Sequence, residues 1–243
     1  MALTEEEHKA QQKTMANCVG RMLRDSFGKG PESAFTKLGD SYVIILLKGF
    51  LSPMEKIILE EQGPDALHAL RESMMSQITQ KIQFEAEKIT GNTFNEFFFD
   101  WNINNRSGVL VGLKPQAYKN AKKEEEDMEH DFPYKKELEE KFSQLSAIAE
   151  RTPDRITSIK VDRRTILMVR EGILVDIEKK LIEMGEGRSL KVAKRDVEKK
   201  LFNKKDLIRN ILKVNIQEIF VDWNFRDDKS TIVIVSDPAE PLK

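Results

Sequence analysis

Phe97-Phe98-Phe99-Asp100-Trp101-Asn102 and Ile219-Phe220-Val221-Asp222-Trp223-Asn224 close on the same tripeptide and contain both tryptophans of the chain. In each stretch the residues alternate, with Phe97, Phe99 and Trp101 (or Ile219, Val221 and Trp223) on one side and the intervening residues on the other, as a period-two strand requires. The agreement extends upstream. Gly49 lies 51 residues before Asp100 and Gly172 lies 50 before Asp222. An apolar run enters each glycine (Tyr42 to Leu47, Thr165 to Val169), and a Glu-Lys pair follows each at the same interval (Glu55-Lys56, Glu178-Lys179). A tandem duplication explains this spacing.

At 243 residues the chain accommodates two units of about 115 residues each. With 40% hydrophobic and 33% charged residues it reads as globular. The single cysteine, Cys18, excludes an intramolecular disulfide and fits a reducing compartment. The opening Thr4-Glu5-Glu6-Glu7 does not resemble a secretory leader, and the apolar run Tyr42 to Leu47 is far shorter than the roughly 20 residues that span a bilayer. The expected location is cytoplasmic, or peripheral to the inner face of a membrane. Formal charge is −1 overall but unevenly placed: −2 over 1–118, −4 over 119–150 and +5 over 151–243. The excess in the last third points to an anionic partner there.

The expected domains are a first repeat at 1–118, a charged linker at 119–134 and a second, divergent repeat at 135–243. Each repeat reads as an α+β unit of order α-β-α-α-β-β, with helices on one face of a small sheet. In the first, an amphipathic helix carrying Ala16, Val19 and Phe27 ends at Gly28, and Tyr42 to Leu47 forms a strand buried on both faces. Ser52, Pro53 and Glu55 then spell a capped helix start. After Pro64, a helical stripe of Leu67, Leu70, Met74, Ile78, Ile82 and Ile89 runs to Gly91. A hairpin follows, turning through Asn102, Asn104, Asn105 and Gly108. In the second repeat the matching elements are helix 135–149, strand 159–169, helix 176–184, a long helix 189–214, and hairpin strands 216–225 and 231–235.

Candidate chemistry is sparse. His8, His68 and His130 form no metal-ligand spacing, and no Walker, dinucleotide or nucleophile-elbow motif occurs. No cofactor is expected. The Asp-Trp-Asn motif fits a buried tryptophan where a strand enters a turn better than a ligand edge. Two glycines around Lys29 (Gly28, Lys29, Gly30) are able to present N–H groups and an ammonium to an anion or nucleotide, although a sharp helix exit is the simpler account. Counting Arg188 just before it, the helix from Ser189 carries ten basic residues, among them Lys191, Lys194, Lys199, Lys200, Lys204 and Lys205, against three acids. With Leu190, Ala193, Val197, Leu201, Ile208 and Ile211 as its buried stripe, the cations face solvent, available to an anionic membrane surface or an acidic partner. No aromatic interleaving favours single-stranded nucleic acid. Separated carboxylates such as Glu96 and Asp100 leave an enzyme as a further alternative.

The succession Phe27-Gly28-Lys29-Gly30-Pro31-Glu32-Ser33, the strand to Leu47, Phe50-Leu51-Ser52-Pro53-Met54-Glu55, Phe98-Phe99-Asp100-Trp101-Asn102 and Ser107-Gly108 resembles the MpsC-like family. This bacterial domain is named after a component of a sodium-translocating, membrane-potential-generating system. The resemblance spans about residues 10–115. The second repeat carries it through Gly172, Glu178 and Asp222-Trp223-Asn224, without the Gly-Lys-Gly-Pro loop or the Ser-Pro-x-Glu start. It implies a non-enzymatic accessory or regulatory protein, linked to membrane sodium or inorganic-carbon transport subunits. A small anionic-ligand sensor using Gly28–Pro31 is the alternative, and a homo-oligomer is left open.

Overall fold

Buried apolar strands in both repeats need a layer of helices to cover them, and the computed structural model, which describes residues 4–114, 132–202, 205–239 and 242, shows that layer twice. The chain divides into two compact units, Met1–Ala117 and Tyr118–Lys243. The charged stretch from Lys119 to His130 lies outside the described residues.

Unit 1 runs α1 (Glu5–Phe27), β1 (Ser33–Leu38), β2 (Tyr42–Lys48), α2 (Pro53–Gln62), α3 (Pro64–Thr90), β3 (Glu96–Asn102) and β4 (Ser107–Leu113). Unit 2 runs α4 (Lys135–Ala149), β5 (Arg155–Lys160), β6 (Thr165–Glu171), α5 (Asp176–Glu183), α6 (Gly187–Phe202), α7 (Lys205–Leu212), β7 (Ile216–Asn224) and β8 (Lys229–Ser236). The sheets have equivalent strand orders, β1-β2-β4-β3 and β5-β6-β8-β7. Since β2 and β3 both pair antiparallel with β4, they run parallel, and α2 and α3 form the crossover between them.

The architecture is the expected α+β duplication, with one strand added to each unit and, in unit 2, the single long helix expected over 189–214 replaced by two helices, α6 and α7. Strand β1 pairs only with β2, at the sheet edge, and its Phe35 is half exposed, so no alternation marks it in the sequence. The stretch expected as one strand over 159–169 is part of a hairpin. Val161 N–H donates to the Thr165 carbonyl at 2.8 Å and Arg164 N–H to Asp162 Oδ1 at 2.8 Å, which folds the chain back between β5 and β6.

Local signals set the helix limits. Thr4 and Glu7 form a capping box at the start of α1, and Gly28 ends it at φ 73°. Gly49 and Gly172 adopt φ of 64° and 67° at the exit of β2 and β6. A Cβ at either would also fall on the carboxyl group of Glu32 or Asp154, so both requirements select glycine in both repeats.

One face of each sheet packs on helices. In unit 1, Met15, Val19 and Leu23 of α1 and Met75, Ile78 and Ile82 of α3 enclose Leu47, Phe99, Trp101 and Leu110. In unit 2, Leu138 and Phe142 of α4 with Phe202, Ile208 and Ile211 enclose Ile166, Met168, Val221 and Trp223. The indoles are 1% and 4% exposed. The turn asparagines do what their position suggests: Asn102 Oδ1 accepts from Asn105 N–H at 3.3 Å, and Asn224 Oδ1 accepts from Arg226 and Asp227 N–H at 3.1 and 3.3 Å. The Asp-Trp-Asn motif is thus a core residue joined to a turn.

Trp101→Ala and Trp223→Ala should each cost about 3–5 kcal/mol in urea unfolding. A loss below about 1 kcal/mol at either site would remove that indole from the core.

Candidate functional site

The capped helix start at Ser52 leads to the first buried charges. Ser52 N–H donates to Glu55 Oε2 at 2.7 Å, and Glu55 N–H donates to Ser52 Oγ at 3.3 Å. The second oxygen of Glu55 faces α3, where Arg71 Nε donates to it at 2.7 Å with both side chains buried. Arg71 also donates to the Phe50 carbonyl at 2.9 Å and lies over the rings of Phe50 and Trp101 at 4.9 and 4.7 Å. One carboxylate therefore caps α2 and neutralises a cation on α3.

Unit 2 repeats the device with a lysine. Glu178 accepts from Val175 N–H at 3.0 Å, and Lys194 Nζ donates to its other oxygen at 2.9 Å, across the same 16-residue separation as Glu55 and Arg71. Valine has no side-chain oxygen, so the reciprocal half of the box is missing.

The two interiors then diverge. In β-register Leu47 stands opposite Gly108, and Trp101 also pairs with Gly108; the equivalents in unit 2 are Arg170, Ser230 and Trp223. One turn beyond Arg71 and Lys194, α3 buries Met75 where α6 buries Glu198. Counting back alike from the Gly49 and Gly172 turns, Leu23 and Phe27 of α1 correspond to Ser146 and Glu150 at the end of α4. Apolar residues of unit 1 are thus polar in unit 2, and the replacements meet. Arg170, fully buried, donates to Ser230 Oγ at 2.8 Å, Ser146 Oγ at 2.7 Å and Glu198 Oε2 at 2.6 Å. Trp223 Nε1 donates to Glu198 Oε1 at 2.7 Å. Lys194 Nζ also lies against the Glu150 carboxyl group and, at 3.9 Å, near Glu198.

Burial tends to raise the Glu198 pKa, but the Arg170 charge, the hydrogen bond from Glu150 and the Lys194 charge outweigh it and hold Glu198 below the usual value. Glu150 moves the other way, pushed up to about 9 by burial, by its hydrogen bond to Glu198 and by the Glu198 charge, against the pull of Lys194. At neutral pH Glu150 is therefore a neutral donor. Two buried cations, Arg170 and Lys194, then balance two carboxylates, Glu178 and Glu198.

Sequence reading missed this network because it treated every cation of α6 as solvated. The buried face is Leu190, Lys194, Glu198 and Phe202, at i, i+4 spacing, with Arg195 beside it, while Val197 of the expected stripe is 46% exposed and Ala193 is exposed. Lys194 is 4% exposed and Lys191 pairs with the buried Asp222 at 2.8 Å, so neither belongs to an outward basic surface. Their carboxylate partners make burial possible. Lys200 is exposed and pairs with Asp196 at 2.7 Å, and Lys199 is half buried. Lys204 and the Lys205 side chain lie outside the described residues. An alignment of the two repeats on their glycines was the signal that finds the network, because it sets Arg170 against Leu47 and Glu198 against Met75.

The other candidates have plain positions. Gly28 closes α1, Lys29 Nζ donates to the Leu51 carbonyl at 3.4 Å, and Gly30 is buried with the Gly20 carbonyl and Arg24 against it. Glu96 and Asp100 lie on one strand, about 13 Å apart along it. An open cleft of about 450 Å³ between α1 and α3 is lined by Thr14, Asn17, Cys18, Arg21, Glu85, Lys88 and Ile89. Among the described residues no group of three or more His, Cys, Asp or Glu is placed to hold a metal ion, and no helix is long and apolar enough to cross a membrane.

Arg71→Met strands the Glu55 charge in the core and should cost about 3–5 kcal/mol in urea unfolding, with Arg71→Lys costing less. A Met variant within about 1 kcal/mol of wild type would show the pair to be dispensable. The folded pKa of Glu150 lies above the ordinary 4.5, so its stabilising contribution is complete below that value and is lost as pH rises toward about 9. The stability of Glu150→Gln minus that of wild type should therefore grow between these limits, by up to about 1.4 kcal/mol per pH unit, and then level. A difference that stays flat with pH contradicts the placement of the proton.

A family model described as "MpsC: Na+-translocating membrane potential-generating system (MpsC)" matches residues 7–113 and again residues 134–238. No curated protein and no solved structure matches the chain. With both units matched along nearly their whole length, the chain belongs to the MpsC family as a tandem pair of its domains.

Proposed function

We propose that the chain is a non-enzymatic accessory or regulatory component of a membrane sodium-translocating, potential-generating system. The observation that carries this reading is the family match, which covers both units. The densest ionisable cluster also supports it. Arg170, Lys194, Glu178 and Glu198 are buried and saturate one another, as expected of groups that shape a fold rather than attack a substrate. The partners would be the membrane subunits that carry the ion. Peripheral contact with an anionic membrane face would fall to Arg188, Lys199 and Lys200 among the described cations of α6.

The test is the sodium-dependent potential of membrane vesicles, read with a voltage-sensitive dye. Vesicles from cells lacking the chain should develop a smaller potential, and adding back the purified protein should restore it. An unchanged potential without the chain would sink the reading.

A further inference from the structure

Glu150 and Phe27 stand equally far in sequence before Gly172 and Gly49, at the ends of α4 and α1. Phe27 is an apolar lock: it packs edge-on against Phe50, with centroids 5.1 Å apart and planes at 80°, and is buried. Glu150 is an ionisable group in the same position. Its side chain is 2% exposed although the residue is only half buried, because its backbone leaves the helix toward the loop before β5. The carboxyl group meets Lys194 and Glu198 of α6; Glu178 of α5 and Arg170 of β6 face it through those two. The nearby Arg151 and Asp154 pair with each other.

We propose that the C-terminal end of α4 is a proton-operated latch, seated when Glu150 carries a proton that it shares with Glu198 and released when that proton is lost. The charge balance requires it. Arg170 already answers Glu198 at 2.6 Å, and Glu178 already answers Lys194 at 2.9 Å. The third carboxylate, Glu150, lies within reach of Glu198 and has only Lys194, which it must share with Glu178 and Glu198, so three buried carboxylates meet two cations. Glu198 sits within α6 and is fully buried, so it cannot move to water. Glu150 can, because it stands at a helix end with φ −145° and ψ −91° and a loop beyond it. Its last helical hydrogen bond, Glu150 N–H to the Ser146 carbonyl at 2.8 Å, is then lost. Ser146 also accepts from Arg170, and Trp223 donates to Glu198, so the indole reports on the event.

The experiment uses the full chain labelled with fluorotryptophan and followed by ¹⁹F NMR from pH 6 to pH 10.5, the two signals being assigned with Trp101→Phe. The Trp223 signal should titrate with a midpoint near 9, while Trp101 should stay constant as an internal reference. Glu150→Gln should abolish the titration. Glu150→Phe, which installs the lock of unit 1, should abolish it too and keeps the test decisive if the Gln variant folds poorly. At pH 10, the amides of residues 147–150 should exchange about tenfold faster in wild type than in the Gln variant, one pH unit beyond the midpoint being a factor of ten. A Trp223 signal that does not move, or that moves equally in Glu150→Gln, overturns the latch.

Discussion

A buried carboxylate at the start of one helix, paired with a cation on the next, is the constraint on which each unit depends. Glu55 and Arg71 form it in the first, Glu178 and Lys194 in the second. A lone charge in either position would cost several kcal/mol, so the two helices must meet at one angle and one rotation or the pair is lost. The same glutamate occupies a backbone N–H at its own helix start, which ties the loop after β2 or β6 into the arrangement. From that joint α3 and α6 are aimed along the sheet, and the tryptophan on the edge strand is covered.

Around this shared joint the two units fill their cores differently. Unit 1 relies on Leu47, Met75, Phe27 and Trp101, with Arg71 stacked on the aromatic rings. Unit 2 fills the matching positions with a polar network whose members come from α4, β6, α6, β7 and β8. An apolar core of equal volume is commonly as stable or more stable, so the polar version is not explained by stability. What it adds is directional: each hydrogen bond fixes a distance and an angle, and one carboxyl group titrates. The duplicated fold thus keeps one joint in two surroundings, with Phe27 at the end of the first helix in one unit and Glu150 at the end of the matching helix in the other.

Much of this was legible in the chain before any coordinates. The Asp-Trp-Asn tripeptides, the matched glycines and the two apolar runs specify a duplicated α+β fold, because period-two alternation and left-handed turns are local properties. Strand β1 was not legible, since an edge strand is defined by its partner rather than by its own alternation. The buried stripe of α6 was misread for a related reason. A helical wheel sorts residues by polarity, and Lys194 and Glu198 are polar residues that face inward because their partners lie far away in sequence.

The sequence by itself determined the repeat, the α+β plan apart from the edge strands β1 and β5, the glycine turns and the capped helix start at Ser52, all set by contacts within a few residues. Only the tertiary structure decided which charges are buried. The pairing of Arg170 with Glu198 spans 28 residues and that with Ser230 spans 60, and neither partner carries any local sign of the other. The energy of a buried charge depends on what surrounds it in space, and that is settled only when the helices close over the sheet.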